Sequence, residues 1–135
     1  MRSGWKESTY LLLQTLVQGI VLLKLFGITS CDSCRNARKW LKENSNDYEY
    51  HDLRKDGLEV QMLERWMNLL DWQKFLNTRS LTWRKIPEVD RAEITKDRAI
   101  ALMIEHPTLV KRPVLECEEF IAVGFSPANY EKLFA

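Results

Sequence analysis

Two cysteines separated by two residues follow directly on a short apolar run, and this arrangement limits the possible fold more than any other feature. The run is LLKLFGI at residues 22–28, and the pair is Cys31 and Cys34 in TSCDSCRNARKWL. From about Ser33 onward, apolar residues recur at the three-and-four spacing of a helix. The order predicts a strand buried on both faces, a tight turn, and a helix that begins beside Cys31.

The segments after this helix extend the unit into an α/β fold. NSND at residues 44–47 is typical of a helix end, and YEYHDL at residues 48–53 alternates in residue type as a strand does. RKDG at residues 54–57 closes this second strand, and we expect Arg54 and Lys55 to form only a solvated turn there. The order of strand, helix and strand predicts a βαβ unit.

The rest of the chain predicts a helical middle, a hairpin and a last helix. We expect one apolar helical face, formed by Leu58, Met62, Trp66, Leu69 and Leu70. A short helix at residues 71–78 is predicted next, followed by a helix that Thr95 caps and Pro107 ends. VLEC and FIAV predict a tight hairpin around residues 118–119, and Ser126 opens the final helix.

The composition indicates one domain that works through a local site. The chain has 135 residues, of which 45% are hydrophobic and 29% charged, and this is enough to bury a core. A net charge of +1 argues against a broad basic surface for nucleic acid. Three cysteines do not make a secreted disulfide framework, so we expect a reducing, cytoplasmic location.

Residues 1–22 read differently from the rest, and we expect them to be an N-terminal extension to a domain at residues 23–135. The stretch STYLLLQTLVQGIVLL at residues 8–23 is apolar, but it is shorter than the roughly 20 residues that span a bilayer. It mimics a signal peptide without the small-residue cleavage site. We therefore predict no membrane span, and a misplaced start codon would explain the extension.

The position of the cysteine pair predicts thiolate chemistry. At a helix start, the Cys31 sulfur faces unpaired backbone N–H groups and the positive end of the helix dipole, and both lower a thiol pKa. Arg35, four positions later, is expected to return over the same face and add positive charge near the sulfur. Cys34 shares that face and can close a disulfide with Cys31. Redox chemistry is therefore the favoured function of the pair.

Two other interpretations of the pair are less favoured. A structural zinc ion needs four converging ligands, which only Cys31, Cys34, Cys117, His51 and His106 could supply, and no second close pair exists. We therefore predict no metal site. Two inert buried thiols fit poorly, because a sulfur at a helix start is expected to be partly exposed. The lone Cys117 is expected to be a small core residue.

Four segments together resemble a known family. LFGITSCDSCRNARKWL, YHDLRKDG, LNTRSLTWRK, and EHPTLVKRPVL followed by VGF are similar to the ArsC/Spx/YffB family, the arsenate-reductase-like branch of the thioredoxin superfamily. The likeness runs from about Lys24 to Phe134 and is greatest to YffB-like proteins. It implies a thioredoxin-like mixed sheet of about four strands, with a helical insertion in the middle.

The resemblance also implies roles for individual residues. Cys31 matches the nucleophile of the family, and Arg35 matches the arginine that follows it. Arg79 and Arg112 match two of the three arginines that bind the oxyanion in arsenate reductases, and a guanidinium suits the carboxylates of glutathione equally well. Pro113 resembles the proline that precedes the third strand of thioredoxin-like folds, where a cis bond brings backbone near the cysteine.

The sequence departs from the arsenate reductase pattern at two places. The third arginine should fall near VGFSP, where this chain has Gly124 and Phe125. The small polar or histidine position ahead of the cysteine is occupied by Gly27. These departures weigh against arsenate reduction and leave the thiol chemistry intact.

The function expected from this resemblance is that of a glutathione-dependent thiol–disulfide oxidoreductase. Cys31 would form a mixed disulfide, which Cys34 or glutathione then resolves. Glutathione is expected as co-substrate, glutaredoxin as a further partner, the chain as a monomer, and no cofactor as tightly bound. Two alternatives stay open, namely arsenate reduction and an Spx-like regulator whose disulfide switches its binding to RNA polymerase.

Overall fold

A four-stranded sheet organises the part of the chain that the structure describes. The structure is a computed structural model and describes residues 22–135, so the extension predicted for residues 1–22 lies outside it, apart from Leu22. The strands are β1 (Lys24–Gly27), β2 (Glu49–Asp52), β3 (Val114–Glu116) and β4 (Ile121–Val123). The helices are α1 (Asp32–Glu43), α2 (Val60–Met67), α3 (Leu81–Lys85), α4 (Glu88–Arg91), α5 (Lys96–Glu105) and α6 (Pro127–Leu133).

The strand order is β2-β1-β3-β4, which makes β1 a central strand. β1 pairs in parallel with β2, as the predicted βαβ unit requires, and antiparallel with β3. β3 and β4 form the predicted antiparallel hairpin. The register sets Gly27, the last residue of β1, beside Asp52, the last residue of β2. The mixed sheet of four strands is therefore confirmed, and the segment that leads to Cys31 leaves it from the centre.

Helices cover both faces of the sheet. Because successive strand residues point to opposite faces, Phe26 and Leu25 enter different cores. Phe26 packs with residues of α2 and α5, the helical insertion between β2 and β3, whereas Leu25 packs with residues of α1 and α6. The prediction that β1 is buried on both faces is confirmed. No helix within residues 22–135 is long and apolar enough to cross a bilayer.

The predicted caps hold the helix ends. The Thr95 hydroxyl accepts a hydrogen bond from the Arg98 backbone N–H at 3.2 Å, and the Ser126 hydroxyl accepts one from the Asn129 N–H at 3.1 Å. The short helices α3 and α4 were not predicted. They bury no residue fully, so the apolar periodicity that reveals a helix is missing from their sequence.

Leu69, one residue of the predicted apolar face, is exposed instead of buried. Trp66 is fully buried and packs against the rings of Phe26 and Phe75, with centroids 4.9 and 5.8 Å away. Leu69, by contrast, is 50% exposed, because α2 ends at Met67 and the chain leaves the helical spiral there. The prediction that Leu69 shares one apolar helical face with Trp66 was wrong.

This difference predicts very different costs of truncation. Trp66→Ala should lower the free energy of unfolding by about 3–5 kcal/mol, because it removes the centre of a packed core. Leu69→Ala, the matched control from the same segment, should cost less than about 1 kcal/mol. Urea unfolding followed by far-ultraviolet circular dichroism measures both. Equal losses in the two variants would contradict the packing described here.

Candidate active site

Cys31 occupies the N-cap of α1, at the position expected from the sequence. Its backbone is extended, with φ −84° and ψ 125°, and its N–H donates to the Ile28 carbonyl at 2.9 Å. This short turn joins the end of β1 to the first turn of the helix. The Cys31 side chain is half-buried, so its sulfur can meet a partner from solvent.

The surroundings of Cys31 favour its thiolate. Partial burial alone would raise its pKa, but hydrogen bonding from the backbone N–H and the side chain of Cys34, and from the Arg112 guanidinium, outweighs burial. The positive charge of Arg112 acts in the same direction. The pKa of Cys31 therefore lies below that of an ordinary thiol, and this is the property of a reactive cysteine.

Cys34 has the opposite character. Its side chain is fully buried, and burial with the nearby Cys31 raises its pKa to about 12. Both thiols are reduced. The two cysteines lie within hydrogen-bonding reach, as the shared helical face predicted, but they are not equivalent, since the helix turns Cys34 inward while Cys31 remains at the surface.

Gly27 makes room for the buried thiol. A Cβ atom at this position would lie 2.5 Å from Cys34 Sγ and 3.5 Å from the Tyr50 hydroxyl oxygen. The first distance is far below van der Waals contact. The residue that departs from the arsenate reductase pattern is thus the one that lets Cys34 pack against β1.

Arg112 reaches Cys31 from the side of β1 on which β3 lies. Its Nη1 donates to the carbonyl oxygens of Thr108 and Val110, at 3.0 and 3.1 Å, and these bonds fix the guanidinium. The next peptide bond, Arg112–Pro113, is cis, and Pro113 leads directly into β3. Because β3 pairs with β1, this loop lies beside the segment that carries the nucleophile.

The other two predicted arginines are placed differently. Arg35 binds Asp32 and donates to the Thr29 carbonyl at 3.3 Å, so the charge that acts on the Cys31 sulfur comes from Arg112 instead. The expectation that Arg35 returns over the Cys31 sulfur is therefore corrected. Arg79 is exposed and follows Asn77, whose N–H donates to the Leu109 carbonyl at 2.7 Å. That bond brings the Arg79 segment beside the loop of Arg112.

Asp52 is a site residue that the sequence analysis missed. It is 4% exposed, and its Oδ2 accepts from the N–H and hydroxyl of Thr29 at 3.0 and 2.7 Å. Its Oδ1 accepts from the N–H groups of Arg54 and Lys55 at 2.8 and 3.0 Å. Burial would raise the pKa of this carboxyl, but the hydrogen bonds hold it well below its usual range. The carboxylate ties the loop before Cys31 to the turn after β2.

A cleft of about 490 Å³ opens between that loop and that turn. It is lined by Ile28, Thr29, Ser30, Arg35, Asp52, Arg54 and Lys55. The solvated turn predicted for Arg54 and Lys55 is therefore also one wall of a cleft next to the nucleophile. Among residues 22–135, no three histidine, cysteine or acidic side chains converge as metal ligands would.

The length of the family match along the chain decides which family this protein belongs to. The ArsC family matches residues 26–133, which is well over half of the sequence. The chain belongs to the ArsC family. The match includes both cysteines, all three arginines of the candidate site and the cis proline.

The proteins similar to this chain carry names that refer to different functions. The structure of a YffB protein is 38% identical with a TM-score of 0.79, and the match covers 84% of this chain and 99% of that one. An arsenate reductase (ArsC) related protein from Brucella melitensis is 40% identical with a TM-score of 0.70, covering 86% and 97%. Global transcriptional regulator Spx 2 of Bacillus anthracis is 28% identical over 113 residues, covering 82% and 86%. The thioredoxin-like fold implied by the sequence is confirmed.

The segment where the arsenate reductase pattern implied a third arginine is a turn. Gly124 has a φ of +83°, a conformation that glycine adopts freely, and its N–H donates to the Pro113 carbonyl at 2.8 Å. Phe125 packs edge-on against Tyr130, with ring centroids 4.8 Å apart. This part of the chain holds the cis-proline loop and supplies no cation.

The close approach of Gly27 to Cys34 gives a testable prediction. Gly27→Ala should lower the free energy of unfolding by about 1–3 kcal/mol, because the added methyl group overlaps the Cys34 sulfur. In a double-mutant cycle, Gly27→Ala should cost less in a Cys34→Ala background, with a coupling of at least about 0.5 kcal/mol. Chemical denaturation of the four proteins measures it. Additive costs would show that the sulfur is not the obstacle.

Proposed function

We propose that the protein is a glutathione-dependent thiol–disulfide oxidoreductase with Cys31 as its nucleophile. The observation that carries this proposal is the contrast between the two thiols. Cys31 is half-exposed at a helix N-terminus with a lowered pKa, whereas its neighbour Cys34 is buried and protonated. A thiolate that is stabilised and accessible is the reactant in disulfide exchange.

The proposed reaction has two exchange steps. The Cys31 thiolate attacks one sulfur of a disulfide, so that a bond forms to that sulfur and the other leaves as a thiolate. A glutathione thiolate then attacks the bound sulfur of the mixed disulfide and releases the Cys31 thiolate. When the bound group is itself glutathione, this step yields oxidised glutathione. The net reaction converts one glutathione mixed disulfide and one glutathione thiol into the free substrate thiol and oxidised glutathione.

Glutathione suits the second step better than Cys34 does. The pKa of Cys34 is raised mainly by burial, and this burial persists when Cys31 is held in a mixed disulfide, so Cys34 stays a poor source of thiolate at neutral pH. Tyr50 and Tyr130 feel the charge of Cys34, and burial, the larger cause, raises the pKa values of both hydroxyls. Neither is a base at neutral pH. We therefore assign Cys34 to hydrogen bonding with the Cys31 thiolate and glutathione to resolution.

The remaining assignments follow from position. Arg112 stabilises the thiolate, and its buried Nε has no acceptor among the described residues, which leaves donor capacity at the site. Arg79 is proposed to bind a glutathione carboxylate, and Pro113 to present backbone to the substrate. We propose that the protein acts as a monomer in the cytoplasm, with glutaredoxin as a further partner.

Two rival functions have different support. Arsenate reduction, in which Cys31 would attack arsenic, is less favoured because Gly124 and Phe125 replace the third arginine. A redox-switched regulator of the Spx kind is favoured by the 28% identity to an Spx protein. In that case a Cys31–Cys34 disulfide would control binding to the C-terminal domain of the RNA polymerase α chain, and no turnover would occur.

The proposal predicts different effects at the two cysteines. Cys31→Ser should abolish reduction of a mixed disulfide between glutathione and a peptide, because the nucleophile is lost. Cys34→Ser should keep activity within about tenfold of the native protein, since glutathione resolves the intermediate and a hydroxyl can still donate to Cys31. The assay couples oxidised glutathione formation to glutathione reductase and NADPH.

Three results would contradict the proposal. Equal loss of activity in both variants would make Cys34 the resolving residue and remove the assignment to glutathione. Absence of turnover in the native protein, together with capture of the polymerase domain only in the oxidised state, would establish the regulator instead. Measurable arsenate turnover with glutathione and glutaredoxin would favour the reductase.

A further inference from the structure

We propose that the cleft beside Cys31 binds a carboxylate of the disulfide substrate through Arg54 and Lys55. The inference rests on the proposed function and adds a substrate class to it, namely disulfides that carry an acidic group near the sulfur. Neither residue was assigned more than a turn by its sequence, and neither belongs to the arginines implied by the family.

The cleft is placed to receive a group bonded to Cys31. Thr29 and Ser30, the two residues before the nucleophile, form part of its lining, and Arg35, one helical turn after it, forms another part. The opposite wall is the turn of Arg54 and Lys55. Residues on both sides of Cys31 in the sequence thus line the cleft, so a molecule that is disulfide-bonded to Cys31 is attached beside its wall.

Three acidic residues, Asp32, Asp52 and Asp56, lie in or beside the cleft, but none of them pairs with Arg54 or Lys55. Asp52 is the acidic residue in the lining, but it is buried and both of its oxygens already accept hydrogen bonds from Thr29 and the turn. Asp32 pairs with Arg35. Neither Arg54 nor Lys55 makes an ion pair with any residue of 22–135. Two positive charges are therefore available to an anion.

The backbone that carries the two basic side chains is also held in place. The backbone N–H groups of Arg54 and Lys55 donate to Asp52 Oδ1, and Asp56 accepts from the Asp52 N–H at 2.9 Å. Because Asp52 also binds Thr29, the turn and the loop before Cys31 keep a fixed separation. A carboxylate gains more from cations whose backbone is already ordered, since less conformational entropy is lost on binding.

The sheet topology puts positive charge on two sides of the nucleophile. β1 lies between β2 and β3, Cys31 follows β1, and Arg54 and Lys55 follow β2. Arg112 precedes β3 on the other side. A thiol compound with more than one carboxylate, such as glutathione, can therefore be held by both sides at once, with its sulfur at Cys31.

The test compares an anionic and a neutral disulfide. The rate at which Cys31 forms a mixed disulfide is measured by intact mass with oxidised glutathione and with bis(2-hydroxyethyl) disulfide. Arg54→Gln/Lys55→Gln should slow the reaction with oxidised glutathione about tenfold and the neutral reaction less than about twofold. The control variant Lys39→Gln/Lys132→Gln removes two exposed charges outside the cleft and should change neither rate by more than about twofold.

The outcomes distinguish failure of the cleft proposal from failure of the proposed function. If the cleft variant slows both disulfides equally, or neither, the cleft does not bind a carboxylate and the proposed function stands. If native Cys31 reacts with neither disulfide, the proposed function fails and the cleft proposal fails with it. Should the double variant not fold, the single variants Arg54→Gln and Lys55→Gln decide, because each must slow the anionic disulfide more than the neutral one.

Discussion

The stabilised sulfur of Cys31 is the feature on which the rest of this site depends. Its hydrogen-bond donors come from the first turn of α1 and from Arg112, which lie far apart in sequence. They meet because β1 pairs with β3, so that the loop before β3 runs beside the end of β1. The burial of Leu25, Phe26 and the β3 side chains thus has a chemical consequence, since it holds a guanidinium against a thiolate.

On the other edge of β1, Asp52 likewise connects the Cys31 loop to a segment that is distant in sequence. A buried carboxylate is costly unless its oxygens are satisfied, and here Thr29 and the turn after β2 satisfy both of them. The result is a rigid connection between the loop that carries the nucleophile and the turn that carries Arg54 and Lys55. Hydrogen bonding on the β2 side and strand pairing on the β3 side together fix the position of Cys31.

The sequence predicted the parts of this protein that depend on local pattern. The strand, turn and helix around Cys31 were correct because apolar periodicity and helix-start signals lie within a few residues of each other. Contacts across the sheet were not accessible in this way. Arg35 is near Cys31 in sequence but binds Asp32, while Arg112 is distant and supplies the charge. Asp52 had a usable signal, an aspartate at a strand end before a turn, where such side chains commonly accept backbone N–H bonds.

The pH dependence of Cys31 alkylation reports on the stabilised thiolate without any assumption about the substrate. Iodoacetamide modification is followed residue by residue by mass spectrometry, and a thiol reacts in proportion to its ionised fraction, which grows as the pH rises through its pKa. The native midpoint should lie below that of an ordinary thiol, and Arg112→Gln should raise it, while Lys39→Gln leaves it unchanged. A native midpoint at or above about 8.5, or one that Arg112→Gln does not move, would show that Arg112 does not hold this sulfur as a thiolate.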